Sequence, residues 1–117
     1  MEQYGGVSLH DQSHGESFMS IMQNRFRGQG LYILDEPEAA LSPSRQMAML
    51  SLIKRLVDLD SQFIISTHSP ILMAYPDADI SELDETGFRS TPYKDTSHYR
   101  LTSYFLNNPE KMLAELM

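Results

Sequence analysis

The chain has 117 residues, 41% hydrophobic and 21% charged, which is enough for one domain with a hydrophobic core and too short for two. It contains no cysteine, which excludes disulfides, iron–sulfur clusters and Cys-based zinc sites and suits a reducing cytoplasm. Its net charge of −7 at pH 7 argues against direct nucleic-acid binding, because Lys and Arg contacts to phosphates supply most of that affinity.

The N-terminal residues and the apolar runs decide the expected compartment. No basic stretch followed by an apolar run opens the chain. The longest apolar runs are far shorter than the ~20 residues that a helical bilayer span requires. We therefore expect a cytoplasmic protein with neither a signal peptide nor a membrane segment.

The first predicted helix follows a polar, glycine-containing opening. Ser13 and Glu16 stand three apart, as a capping box requires, and apolar side chains recur at helical spacing across residues 18–26. Gly28 and Gly30 end this helix. Ser13 and Gly15 at a helix N-terminus would suit an anion such as a phosphate, and an ordinary capping box is the alternative.

Two short apolar runs flank a second predicted helix. They are Leu31–Leu34 and Phe63–Ile65, and because neither alternates with polar residues, we expect strands buried on both faces. Ser42 and Pro43 begin the helix as its N-cap and first-turn residue. Its predicted apolar stripe consists of Met47, Leu50, Ile53 and Val57, flanked by Met49, Leu52 and Leu56. The strand–helix–strand order predicts a right-handed crossover and a parallel pair.

The remaining residues predict a hairpin and two helices. The predicted elements are a helical turn at Pro70–Ala74, strands at Ile80–Leu83 and Phe88–Thr91 joined by residues 84–87, and helices from Ser97 to Leu106 and from Asn108-Pro109 onward. Acidic residues crowd between Asp77 and Glu85, and we interpret them as a solvated loop and hairpin.

Acidic and imidazole side chains follow the two predicted strands. Asp35 and Glu36 come after the first, at the edge where open α/β sheets bind ligands. Strand alternation aims them in different directions, so one could hold Mg²⁺ while the other faces an attacking water. His68 follows the second strand and could hydrogen-bond a terminal phosphate or that water. Taken separately, two solvated acids and a histidine in a capped turn are the alternatives.

Three motifs in one order resemble the ABC ATPase superfamily. They are SHGES from Ser13, LYILDEPEAALSP from Leu31 and FIISTHSP from Phe63, and the resemblance covers roughly Ser8–Arg89. The strings SHGES and DEPEAALSP look more like the soluble, transporter-independent predicted ATPases of the superfamily than like a transporter subunit.

That resemblance implies a role for individual residues in binding and hydrolysing ATP. The implied positions are Ser13, Gly15 and Glu16 in the signature loop on the ATP phosphate of a partner subunit, Asp35 on Mg²⁺, Glu36 as catalytic base, Ser42 in the D-loop and His68 as the switch histidine. Ser42 stands where the family has an aspartate.

The phosphate-binding loop of that family, Walker A, is not found in these 117 residues. It requires Gly-x-x-x-x-Gly-Lys-Ser/Thr, whose backbone N–H groups and lysine cradle the phosphates. None of Lys54, Lys94 and Lys111 follows a glycine. We therefore predict one α/β domain over residues 1–117, the C-terminal portion of an ABC-type P-loop NTPase domain. It would have a parallel sheet, flanking helices and a small C-terminal hairpin.

The implied function is ATP hydrolysis with ATP and Mg²⁺ in the complete protein, with this chain inactive alone. A non-catalytic dimerisation or partner-binding module and a nucleotide-binding subunit of an ABC transporter are the alternatives. Without the Walker A half, the strand Phe63–Ile65 has an unpaired edge, which is a template for another chain. We expect the partner to be a second copy or a Walker A-containing chain, in a homo- or heterodimer.

Overall fold

The computed structural model describes residues 30–117, which form a mixed α/β structure. The chain divides into two compact units, one ending at Leu72, hereafter the N-terminal unit, and one over Met73–Met117, the C-terminal unit. The predicted first helix, with Ser13, Gly15 and Glu16, lies outside the described residues. The assignment of the whole chain to one domain stays a prediction.

The N-terminal unit contains two parallel strands joined through a helix. Strand β1 spans Leu31–Asp35, helix α1 Pro43–Asp58 and strand β2 Gln62–Ser66. The strands pair in parallel from Leu31 opposite Gln62 to Asp35 opposite Ser66. The predicted parallel pair is confirmed, and each strand extends slightly beyond the apolar run that predicted it.

Helix α1 begins at the residues that the sequence indicates. The Ser42 hydroxyl accepts a hydrogen bond from the Arg45 backbone N–H at 3.2 Å, and Pro43 occupies the first turn. Because the first N–H groups of a helix have no partner inside it, this cap stabilises the start of α1. Asp60, with φ of 70°, follows the helix and turns the chain toward β2.

The buried face of α1 differs from the predicted stripe. The core side chains of the helix are Met49, Leu52, Ile53 and Leu56. Met47 is 58% exposed and Val57 is also exposed, so the predicted stripe was wrong at its two ends. Both sets of residues fit helical spacing. Contact with the sheet decides which set is buried, and the sequence pattern of one helix gives no information on that contact.

Met49 and Met47 offer a matched test of this face. Met49 is fully buried, so Met49→Ala is expected to lower the free energy of unfolding by about 2–5 kcal/mol through lost burial and a residual cavity. Met47→Ala, on the exposed face of the same helix, is expected to stay within about 0.5 kcal/mol of the wild type. Urea unfolding followed by circular dichroism measures both, and equal losses would contradict the assigned face.

The two strands are buried on one face rather than on both. Tyr32 and Leu34 are buried, and the Tyr32 ring stacks on Phe63 with centroids 4.7 Å apart. Leu31 and Ile33 are exposed, as is Ile64 at 54%. The prediction of two buried faces was wrong within the described residues, because alternate strand residues point to opposite faces and α1 packs on only one of them.

The C-terminal unit contains a hairpin followed by two helices. Strands β3 (Ser81–Asp84) and β4 (Gly87–Ser90) pair antiparallel, and helices α2 (Ser97–Asn107) and α3 (Pro109–Leu116) follow. These elements confirm the predicted order, with strand bounds shifted by one residue. Gly87 has φ of 110°, a conformation that residues with a Cβ rarely adopt, so the turn favours glycine there.

Thr96 caps helix α2 from a fully buried position. Its hydroxyl donates to the Tyr93 carbonyl at 2.7 Å and accepts from the Tyr99 backbone N–H at 3.2 Å. Asn108 precedes α3 at its N-cap position and makes no capping hydrogen bond to it through its side chain. Its amide instead donates to the Tyr104 carbonyl at 3.1 Å, so this side chain is used at the end of the preceding helix.

The acidic run is solvated except at Glu82. The Glu82 carboxylate accepts hydrogen bonds from the Ser97 backbone N–H at 2.8 Å and from the Ser97 hydroxyl at 3.2 Å. These bonds, the backbone one first, lower the pKa of Glu82 below its usual value. Glu82 therefore ties β3 to the start of α2. Within residues 30–117, no helix has the length and apolar character that crossing a membrane requires.

Candidate active site

The parallel pairing brings the ends of β1 and β2 to one edge of the sheet. Asp35 lies opposite Ser66, and the backbone N–H of Glu36 donates to the Ser66 carbonyl at 2.7 Å. The residue that follows β1, Glu36, therefore lies next to the residues that follow β2, Thr67 and His68. The same parallel pairing is the reason that Glu36 and His68 are predicted at this edge from the sequence.

Glu36 leaves the strand through an unusual backbone conformation. Its φ and ψ are 49° and 55°, in the left-handed region, and Pro37 follows at the start of a 3₁₀ turn over Pro37–Ala40. Such a conformation costs a residue with a Cβ about 1–3 kcal/mol and is concentrated at functional sites. The turn redirects the chain at Glu36 and leaves its carboxylate 43% exposed.

Glu36 and His68 face each other across the strand ends. The distance from His68 Nδ1 to Glu36 Oε2 is 3.9 Å, and the His68 side chain is 67% exposed. This separation is longer than a direct hydrogen bond. A water molecule can hydrogen-bond both atoms at such a distance. The pair thus presents a carboxylate and an imidazole to one accessible position.

Glu38 is a site residue that sequence reasoning missed. Its Oε1 accepts a hydrogen bond from the Thr67 hydroxyl at 2.7 Å, and its Oε2 accepts from the His68 backbone N–H at 3.0 Å. One carboxylate thereby connects the 3₁₀ turn to the segment after β2. Glu38 is the only acid within that short turn, and this was the available signal.

Ser69 organises the remainder of the segment after β2. Its hydroxyl oxygen accepts from the backbone N–H groups of Ile71 and Leu72, both at 3.1 Å, and the hydroxyl donates to Gln46 Oε1 on α1. The Gln46 amide in turn donates to the Leu41 carbonyl at 3.1 Å. Ser69 therefore caps a turn, as the alternative interpretation held, while the neighbouring His68 still lies beside Glu36.

Three side chains at this edge could hold a metal ion. Glu36, Glu38 and His68 each offer one ligand atom, and these atoms lie within 4.8 Å of one another. Asp35, the predicted Mg²⁺ ligand, is outside that group but adjoins it at the end of β1. Its assignment to Mg²⁺ stays a prediction.

Ser42 has a structural role that the geometry defines. Its hydroxyl oxygen caps α1 at Arg45 and lies 3.1 Å from the Ser44 hydroxyl oxygen. A D-loop function for Ser42 stays a prediction. Ser13, Gly15 and Glu16, assigned to the signature loop, precede residue 30 and lie outside the part of the chain that the structure describes.

Part of the chain matches a family of known proteins. A family model described as an AAA ATPase domain matches residues 13–73, just over half of the chain. The matched segment includes β1, α1, β2 and every side chain at the strand ends described above. No curated protein matches the chain.

Proposed function

The chain belongs to the AAA ATPase domain family, and from that premise we propose that it supplies the hydrolytic residues of an ABC-type ATP site. The observation that carries this proposal is the Glu36–His68 pair, with 3.9 Å between Oε2 and Nδ1 at the carboxyl edge of two parallel strands. Open α/β sheets bind ligands at that edge, and both side chains are accessible there.

Glu36 is the proposed general base. A carboxylate oxygen accepts a proton from the attacking water as that water bonds to the terminal phosphorus and the bond to the leaving diphosphate breaks. Because the Glu36 side chain is 43% exposed, a water can approach its carboxylate from solvent. General-base catalysis of this kind contributes about 10²–10⁴-fold to a rate.

His68 is the proposed partner of Glu36 in orienting the water or the terminal phosphate. Its imidazole carries a donor and an acceptor when neutral, and two donors when protonated. Either form can donate to a phosphate oxygen while the ring stays beside Glu36. The neutral form can also accept from the water.

ATP and Mg²⁺ are the cofactors that an ATPase domain family implies. Asp35 fits Mg²⁺ chemically, because hard divalent cations prefer carboxylate oxygens and Asp35 ends a strand at the ligand-binding edge. Mg²⁺, when bound, neutralises charge on the phosphate oxygens. Asp35 would hold it, and Glu36 remains available as the base.

Ser13, Gly15, Glu16 and Ser42 are the residues that we assign to a second subunit's ATP. In the ABC-type arrangement the signature loop and D-loop complete the site of a partner in a head-to-tail dimer. The proposed partner is a second copy or a Walker A-containing chain. The edge of β2 supports pairing, because among residues 30–117 that strand pairs with β1 alone while Ile64 is 54% exposed.

The absence of Gly-x-x-x-x-Gly-Lys-Ser/Thr from these residues predicts how the chain behaves alone. The 117-residue chain is expected to show no ATP turnover at any Mg²⁺ concentration and at most weak ATP binding. With a Walker A-bearing segment, identified from the DNA upstream of Met1 or from a co-purifying chain, the assembly is expected to hydrolyse ATP. Phosphate release and light scattering on the same samples measure turnover and association together.

Three outcomes of that experiment separate the possible functions. Turnover only in the assembly supports the proposed ATPase. Association without turnover supports a non-catalytic partner-binding module. Turnover by the chain alone, proportional to its concentration and lost in Glu36→Gln, would show that the chain does not need an external phosphate cradle.

A further inference from the structure

We propose that Glu38 is a positioning residue that sets the location of His68 relative to Glu36. The inference rests on the proposed function, since it concerns how the same pair is held. Glu38 acts on the backbone of His68 rather than on the reacting groups. Its substitution should therefore change the rate of hydrolysis without changing the affinity for nucleotide.

The contact joins segments that are distant in sequence. Glu38 Oε1 accepts the Thr67 hydroxyl hydrogen at 2.7 Å, and Oε2 accepts the His68 N–H at 3.0 Å. The partners lie 29 and 30 positions from Glu38. Hydrogen bonds to a charged acceptor are roughly twice as strong as neutral ones. Two of them on one planar carboxylate fix both the distance and the direction of approach.

The Thr67 hydroxyl extends the restraint to the next residue. It donates to Glu38 and accepts from the Ser69 backbone N–H at 2.9 Å. The donor of the hydroxyl and one of its two acceptor lone pairs are used, so its orientation is determined. The carboxylate therefore restrains three consecutive residues, with His68 at their centre.

This backbone restraint has a consequence for the imidazole. The His68 side chain is 67% exposed, so packing covers only a minor part of it and the backbone position largely sets where it can reach. On the opposite side, Glu36 is fixed by its left-handed conformation and by its N–H bond to Ser66. Glu38 thereby sets the position of His68, and with it the 3.9 Å distance from His68 Nδ1 to Glu36 Oε2. A displacement of about 1 Å in such a pair can cost about 100-fold in rate.

A carboxylate at position 38 matches both of its hydrogen-bond partners. Both hydrogen-bond partners are donors, and a carboxylate accepts on both oxygens. Glutamine has only one acceptor oxygen and no charge, so its NH₂ group would face one of the two partners and the charge-assisted hydrogen bonds would be lost. Glu38 therefore differs from a solvated surface acid, because both of its carboxylate oxygens accept hydrogen bonds from the protein.

The first test uses the 117-residue chain. Hydrogen exchange followed by NMR should show the His68 amide exchanging about 10-fold faster or more in Glu38→Ala, because its charge-assisted hydrogen bond is lost. Glu38→Gln should fall between Glu38→Ala and the wild type. Thr67→Val should also accelerate exchange, and Thr67→Ser, which restores the hydroxyl, should rescue it. Protected α1 amides verify folding, and Glu85→Gln in the exposed hairpin turn is the matched control.

The second test uses the ATP-hydrolysing assembly. Glu38→Ala is expected to lower kcat about 10- to 100-fold with KM for ATP unchanged, and Thr67→Ser is expected to recover most of the rate lost in Thr67→Val. The proposal would be overturned if the His68 amide of Glu38→Ala exchanged at the wild-type rate. It would also be overturned if Glu38→Ala had the wild-type kcat in an assembly whose Glu36→Gln variant is inactive. If Glu36→Gln retains full activity, the proposed function fails instead, and the exchange measurement still decides whether Glu38 holds His68.

Discussion

Glu36→Gln is expected to abolish ATP turnover by the assembled enzyme while nucleotide stays bound. The substitution removes the carboxylate that we propose as the proton acceptor and keeps the size of the side chain. Loss of a general base lowers the rate by about 10²–10⁴-fold. A single-turnover measurement of phosphate release gives the chemical step, and retention of labelled nucleotide on the purified assembly gives binding.

Glutamine is chosen so that the variant and the wild type have the same backbone cost at residue 36. Glu36 has φ of 49°, and a glycine there would also relieve the cost of the left-handed conformation. Glu36→Gln retains the Cβ and hence that cost. Glu85→Gln, the same chemical change in the exposed turn between β3 and β4, is the control and should leave turnover unchanged. Wild-type turnover in Glu36→Gln would mean that another group accepts the proton.

The strand–helix–strand unit could be predicted because its determinants are local. Short apolar runs locate β1 and β2, and Ser42-Pro43 locates the start of α1, where the hydroxyl caps the helix as expected. The buried faces could not be predicted in the same way. Met47 and Met49 both fit helical spacing, and contact with the sheet decides that Met49 is in the core.

The site was predictable to the extent that chain topology determines it. Parallel strands bring the residues after each strand to one edge, so Glu36 and His68 could be placed together from their positions alone. Glu38 could not, since its role arises from hydrogen bonds to Thr67 and His68 that a linear pattern does not encode. Residue types identify candidates for chemistry, while the groups that hold them emerge only from the tertiary structure.

His68→Ala is expected to lower the kcat of the assembled enzyme about 100-fold while the affinity for ATP changes little, since the proposed role of the imidazole is to orient a reacting group. Its backbone N–H remains, so the bond to Glu38 Oε2 is expected to persist. The variant should thus combine slow hydrolysis with wild-type exchange of the residue 68 amide. Glu38→Ala should combine slow hydrolysis with fast exchange, which separates loss of the ring from loss of its support.

The double variant Glu38→Ala/His68→Ala tests whether the two residues act as one unit. If Glu38 acts only through the His68 ring, removing Glu38 after the ring has gone should lower kcat little further, and the two losses should be strongly non-additive. Independent roles would instead multiply the two decreases. His98→Ala, which removes an imidazole from α2 in the C-terminal unit, is the matched control and should leave kcat unchanged. If the decreases in kcat of the two single variants multiply, Glu38 acts independently of His68. A wild-type kcat in His68→Ala would remove His68 from the proposed mechanism.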